Sequence, residues 1–345
     1  DKEKLDWVIP YPQKQIITGN YRTPSALNFD LSGFEIDADF IKKRLQEGLR
    51  VQVDSEANSD SNIKVIKNNA LEKEAYILRI TETEIQMEAS HAAGLFYAFE
   101  SLHQILLIAQ NEEKGWPLLT IEDAPRFQNR GFMSDVARNF YPKEKLFQVL
   151  DYMALYKLNR FDLKLSDDDG WRIEIPGLPK LTEVGGKRGY TQDENDRLIP
   201  MYGSGSGDQD SKGNGFLSGQ DFVEIIQYAK QRNIEVIPQI SFPSHARAAI
   251  KAMKARFENF KAAGDMEAAS EYMLHDPEDQ SQYRSAQLYT DNVVCICDPS
   301  AYRFYEKIVF EINALYKKAE VPRKVFNIGA DELPFGQIGR ASCRE

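Results

Sequence analysis

The sequence predicts an α/β fold: a parallel sheet covered by helices, with a small α+β domain ahead of it. Three observations carry this reading. From Phe127 onward, short apolar strand-like runs alternate with segments of helical spacing, the pattern of successive βα units. Two of the runs close in acidic clusters, Ser166-Asp167-Asp168-Asp169-Gly170-Trp171-Arg172 and Gly329-Ala330-Asp331-Glu332. If the runs are strands, the acids sit at their carboxyl ends, where such folds place their chemistry. Before residue 125 the pattern is different, and Asp123-Ala124-Pro125-Arg126 marks the change, because a proline restricts its predecessor and punctuates elements. The predicted domains are therefore 1–124 and 125–345.

Within the first domain, β-like stretches are predicted at Val8 to Ile9, Ile63 to Ile66 and Tyr76 to Ile80, with alternation through Ile85 and Met87. Ser90 to Ile108 carries apolar residues at helical spacing and reads as a well-packed closing helix. In the second domain the strands are Gly131 to Val136, Arg160 to Leu165, Ile234 to Ile240 and Lys324 to Ile328. The helices are Pro142 to Lys157, with proline near its start, then Asp221 to Gln231, Ala246 to Phe257 and Tyr302 to Tyr316. A glycine-rich loop spans residues 203–215; it lacks a Gly-Lys-Ser/Thr ending and is not a phosphate cradle. A complete eight-stranded (β/α)8 barrel needs about 250 residues. Residues 127–345 supply only four strands, and the polar tail Gly339 to Glu345 adds none. The chain reads as the first half of such a barrel, with an open four-stranded fold as the alternative.

The 345 residues suffice for a large core, and the net charge of −10 argues against a nucleic-acid scaffold, which needs basic stripes to meet phosphates. The sequence lacks a run of 18 apolar residues, so no membrane span is expected. Cys295, Cys297 and Cys343 form no disulfide framework and are read as buried free thiols. Four separated histidines give no metal motif, and neither a metal nor a cofactor is expected. Asp167 to Asp169 offers carboxylate oxygens for calcium but lacks EF-hand spacing.

Four stretches together resemble the family-20 glycoside hydrolases, the β-N-acetylhexosaminidases, with the bacterial chitobiases nearest in pattern. They are Arg130-Gly131-Phe132-Met133-Ser134-Asp135-Val136-Ala137-Arg138-Asn139-Phe140, Leu165 to Gly177 around Ser166-Asp167-Asp168-Asp169-Gly170-Trp171, Asn233 to Pro238 with Pro243-Ser244-His245-Ala246-Arg247, and Gly329-Ala330-Asp331-Glu332. The segment before residue 125 resembles the family's non-catalytic α+β domain. The resemblance implies a TIM barrel, substrates that are glycans ending in N-acetylhexosamine, and a periplasmic, outer-membrane-attached or extracellular location in a bacterium.

By position, Glu332 matches the general acid/base and Asp331 the acid that orients the substrate's 2-acetamido group. Arg130 matches an arginine holding sugar hydroxyls, and Asp168 and His245 match polar groups around the site. Arg130 directly precedes the first strand, so pairing with a carboxylate below the barrel is its alternative. Glycoside cleavage needs a carboxylic acid to protonate the leaving oxygen. In the substrate-assisted variant the acetamido oxygen attacks the anomeric carbon, and an anion near the acetamido nitrogen stabilises the intermediate. Glu332 is then expected to have a raised pKa. Departures from the family pattern are Asn327 for histidine, Ala330 for glycine, and Gln239-Ile240-Ser241 for an acidic Glu-x-Asp. Ser241 is expected to deprive His245 of an orienting partner, and Ala330 to crowd the backbone. The alternative to an enzyme is a carbohydrate-binding protein derived from this fold.

Overall fold

The computed structural model describes residues 6–23, 25–54, 62–112, 115–201, 204–207 and 211–333. The tail reading, Cys343 and Gly203 lie outside them. The chain divides into two compact units. The first comprises Asp1–Arg130, Leu150–Asn159 and Gln231–Ile234; the second comprises Gly131–Val149, Arg160–Lys230 and Glu235–Glu345.

In the first unit the elements run β1 (Lys14–Arg22), β2 (Leu27–Asn28), α1 (Ala38–Gln46), β3 (Val53–Asp54), β4 (Ile63–Lys67), β5 (Tyr76–Ile80), β6 (Ile85–Ala89), α2 (Ala92–Glu112) and β7 (Trp116–Asp123). Five strands form one sheet in the order β1-β7-β5-β6-β4, antiparallel except for β4 on β6. Strict alternation buries Tyr76, Leu78 and Ile80 on β5 and Ile85, Met87 and Ala89 on β6. The buried helix α2 covers that face, and Gly94 permits its close approach: a Cβ there would lie 2.3 Å from the Ala75 carbonyl oxygen. By length and hydropathy α2 would pass for a membrane span, but 78% of its apolar window is buried, as in a core helix.

Several sequence expectations differ here. Val8 and Ile9 form a bend, not a strand, with Val8 buried and Ile9 exposed. β1 and β7 were not foreseen. β1 shows an almost wholly exposed pattern without alternation, and β7 opens on Trp116-Pro117, which reads as a strand breaker.

The second unit holds β8 (Gly131–Asp135), the start of α3 (Lys143–Leu155), β9 (Arg160–Lys164), the hairpin β10 (Ser166–Asp167) and β11 (Gly170–Trp171), α4 (Lys180–Glu183), α5 (Gly219–Gln231), β12 (Glu235–Gln239), α6 (Arg247–Ala262), α7 (Met266–Ser270) and α8 (Pro299–Lys318). β8, β9 and β12 are parallel neighbours in chain order, with Asp135, Lys164 and Gln239 level at their carboxyl ends. The predicted fourth strand is a single parallel bridge, Asn327 against Gln239; Asn327 N–H donates to Pro238 O and its carbonyl accepts from Ile240. With a partner on one flank only among the described residues, the segment does not extend its ladder.

Helix starts follow local chemistry. Ser218 and Asp221 form a reciprocal capping box on α5, and Asp298 caps α8, where Pro299 occupies the first turn. Cys295 is free and buried as expected, whereas Cys297 is exposed.

Candidate active site

The β10–β11 hairpin turns through Asp168-Asp169 directly after β9, so its acids stand at the carboxyl end of the parallel strands. Asp167 is buried between the Lys164 ammonium and the Arg138 guanidinium, the latter at 3.1 Å. Burial pushes its carboxyl up, and the two cations oppose that. Asp168 is 1% exposed and uses both oxygens. Oδ1 accepts from the Arg247 backbone N–H at 3.2 Å, placing a carboxylate at the N-terminus of α6. Oδ2 accepts from Asn292 Nδ2 at 3.0 Å and faces His245 Nδ1 at 3.1 Å.

His245 is also 1% exposed, and its Nε2 lies 3.3 Å from Glu332 Oε2, off hydrogen-bond alignment. The ring is therefore threaded between two carboxylates, Asp168 behind and Glu332 in front. Its bond to Asp168 pushes its pKa up against the opposing effect of burial. Both His245 (φ 51°) and Glu332 (φ 52°) occupy the left-handed backbone region, a conformation that costs energy for residues other than glycine.

The segment carrying the acids is anchored by Asn327. Its Nδ2 donates to Asp162 Oδ2 at 2.8 Å and Gln239 Oε1 at 3.3 Å, and its Oδ1 accepts from Gly329 N–H at 2.9 Å. Gly329 turns the chain at φ +53°, where a Cβ would meet Gln239 Nε2 at 2.8 Å. Asp331 and Glu332 then emerge exposed, with Ser244 Oγ donating to Asp331 O and Gln287 Nε2 to Glu332 Oε2 at 2.8 Å.

Several expectations need correction. Glu332 has a lowered pKa, because Gln287 donates to its carboxylate and its side chain is 51% exposed; the expected raised value needs an apolar or anionic enclosure. His245 keeps an orienting carboxylate despite Ser241, because Asp168 supplies it; Ser241 instead pairs with Ser166. Ala330 is exposed, so its methyl does not crowd the turn. Asp168 is buried against His245 and does not face the solvent from which a sugar would arrive.

Arg130 is the largest correction. It belongs to the first unit, where its guanidinium contacts Glu74 at 3.3 Å, the Tyr97 hydroxyl at 3.0 Å and the Lys157 carbonyl at 2.7 Å. The alternative role, pairing with a carboxylate, is the one seen. Sequence reasoning missed Arg138, which follows β8 and bonds Asp135 at 2.7 Å as well as Asp167. The signal was available: Arg138 lies after the strand and Arg130 before it, and chemistry gathers at the carboxyl end.

Asp167, Asp168 and His245 bring ligand atoms within 4.8 Å of one another, a donor set for a cation. Lys164 and Arg138 already compensate Asp167, and His245 turns Nδ1 to Asp168, so the charges are met within the protein. Trp171 is buried, donates Nε1–H to Ile173 O and packs edge-on to Phe304, as a core residue does.

With acids at the ends of parallel strands and a histidine behind one of them, comparison with known proteins becomes decisive. The model of the glycosyl hydrolase family 20 catalytic domain matches residues 127–343. The chain belongs to this family. The model of the family's domain 2 matches residues 7–124. Among curated family-20 relatives, the chain is 36% identical over 349 residues to beta-hexosaminidase B of Pseudoalteromonas piscicida, covering 98% of this chain and 43% of that protein. It is 44% identical over 266 residues to N,N'-diacetylchitobiase of Vibrio harveyi, covering 77% of this chain and 30% of that protein.

Among solved structures, the GH20 exo-β-N-acetylglucosaminidase of Vibrio harveyi in complex with N-acetylglucosamine aligns with a TM-score of 0.76 at 31% identity, covering 96% of this chain and 47% of that one. The Streptomyces plicatus N-acetyl-β-hexosaminidase aligns at 0.68 and 26%, covering 96% and 60%. These family-20 neighbours have the TIM-barrel glycosidase fold. The family-20 chain described here thus spans less than half the length of the curated relatives named above.

Proposed function

We propose that this chain carries the acid/base apparatus of a retaining β-N-acetylhexosaminidase that removes terminal N-acetylhexosamine from glycans by substrate-assisted catalysis. The observation that carries the reading is the alignment Asp168–His245–Glu332 at the carboxyl ends of the parallel strands in a family-20 chain. In this reading β8, β9, β12 and the Asn327 segment are the first four strands of an eight-stranded barrel, and residues 1–124 form a non-catalytic domain.

Glu332 protonates the glycosidic oxygen as the bond breaks, and later takes a proton from water. A sugar seated over Glu332 displaces water and raises its pKa toward that task. His245, held by Asp168, buffers the charge on Glu332 between the two steps. The acetamido oxygen of the substrate attacks the anomeric carbon, and Asp331 provides the anion at the acetamido nitrogen. Arg138, half-exposed just after β8, replaces Arg130 as the cation that holds sugar hydroxyls.

Because these residues supply four of the eight proposed strands, turnover is not expected from them alone, and the test is release of aryl alcohol from an aryl N-acetyl-β-glucosaminide by a parent protein carrying all eight strands and by its Glu332→Gln variant. The expected outcome is turnover in the parent and a loss of about 10²–10⁴-fold in the variant. Equal rates would remove Glu332 from the mechanism. Saturable sugar binding by a folded parent without release would replace hydrolysis by binding alone.

A further inference from the structure

The first unit contains a cavity of about 290 Å³ that takes no part in the site above. Its wall includes aromatic side chains, with Tyr76 and Tyr97 inside and Phe127, 73% exposed, at the rim. Three cationic groups, Lys157, Arg126 and Arg130, and two carboxylates, Asp123 and Glu74, line it. Both carboxylates are satisfied. Asp123 accepts from the Tyr76 hydroxyl at 3.0 Å and the Gln13 backbone N–H at 3.2 Å. Glu74 accepts from Arg130 and from the Tyr97 hydroxyl, each at 3.3 Å.

The cations are not all satisfied. Lys157 Nζ is buried without a hydrogen-bond partner, and its nearest carboxylate oxygen, on Asp123, stands 3.6 Å away. Arg126 is exposed and has no side-chain partner among the described residues. A buried donor left without a hydrogen bond costs about 1–3 kcal/mol, so an ammonium that has an ion-pair carboxylate at 3.6 Å but no acceptor within bonding distance marks a place for one.

The backbone at Lys157 gives a second, independent sign. α3 ends in a Schellman motif: Leu158 N–H donates to Met153 O at 2.8 Å and Lys157 N–H to Ala154 O at 2.9 Å. Lys157 therefore occupies the left-handed position, φ 58°, where glycine is the usual residue. The chain accepts a backbone cost there and gains a side chain whose amine ends in the cavity. Burial, with Arg130 adding to it, pulls that amine down to about 8, against Asp123 from β7 and Glu100 from α2. The Tyr76 ring from β5 lies 5.4 Å from it.

We infer that this cavity is a binding site for a small organic anion: a carboxylate on an apolar or aromatic body, with the carboxylate bridging Lys157 and Arg126 and the body stacked among Tyr76, Tyr97 and Phe127. The occupant's charge neutralises the single excess cation of the wall, and its acceptor supplies the bond that Lys157 lacks. Affinity falls as the pH rises above 8 and the amine discharges.

The experiment titrates the chain by calorimetry with benzoate, with its neutral isostere benzamide, and with inorganic phosphate. Benzoate is expected to bind, with benzamide and phosphate each at least about tenfold weaker, about 1.4 kcal/mol. Arg126→Ala should weaken benzoate roughly tenfold. Lys157→Gly should abolish binding while melting no lower than the parent, since glycine suits the left-handed position and the orphan amine is gone. Failure of benzoate to bind, equal binding of benzamide or phosphate, or undiminished binding to a folded Lys157→Gly chain would each overturn the assignment.

Discussion

His245 shows how much of the site depends on a single ring. Its two nitrogens face residues 77 positions earlier and 87 positions later in the chain, so no spacing rule reveals the line from Asp168 to Glu332. Sequence supplied the residues, because each closes or follows an apolar run, but not their division of labour. Asp168 and His245 emerged as candidates for touching substrate, and burial places both behind Glu332 instead. Arg130 and Arg138 illustrate the same limit: two arginines eight residues apart are equivalent as text and differ entirely by which end of β8 they flank.

The histidine also makes a pH prediction. Its folded pKa is raised, so its contribution to stability is fully present below the ordinary histidine pKa of about 6.5 and is lost as the pH rises through the folded value. The melting temperature of the parent should therefore fall across that window relative to His245→Gln. Parallel profiles for the two chains would show that the ring contributes no protonation-linked stability.

At the scale of elements, β9, β12 and the helices were legible because a buried strand is a short apolar run and a covering helix repeats every three to four residues, and β8 reads as such a run although Phe132 and Met133 are exposed. β1 was not, because its sequence meets solvent along most of its length and its pairing with β7 is long-range. The last predicted strand shrank to one bridge at Asn327, yet that residue ties together three others, Asp162, Gln239 and Gly329. The contact between α2 and its sheet is equally specific. Gly94→Ala would place a methyl 2.3 Å from the Ala75 carbonyl, and neither backbone has room to yield. Chemical denaturation should show a loss of about 1–3 kcal/mol. A change below about 0.5 kcal/mol would mean that helix and sheet are not packed at that distance.

Over the whole molecule, stability and chemistry draw on different residues. The large buried side chains lie in the sheet, its covering helices and the loops beside β11, and the proposed acid lies outside them all on an exposed turn. Glu332 is exposed and sits in a backbone conformation that favours glycine or asparagine. Consider a library of this protein selected only for survival of heat. Asparagine should enrich at position 332, because it relaxes the turn by up to about 1–2 kcal/mol and gives up only a half-exposed carboxylate's contacts with Gln287 and His245. The population would grow hardier while losing the proton donor of the proposed reaction. On the proposed function, any programme of directed evolution that includes this sequence has to score turnover in every round, because thermal resistance alone rewards discarding it.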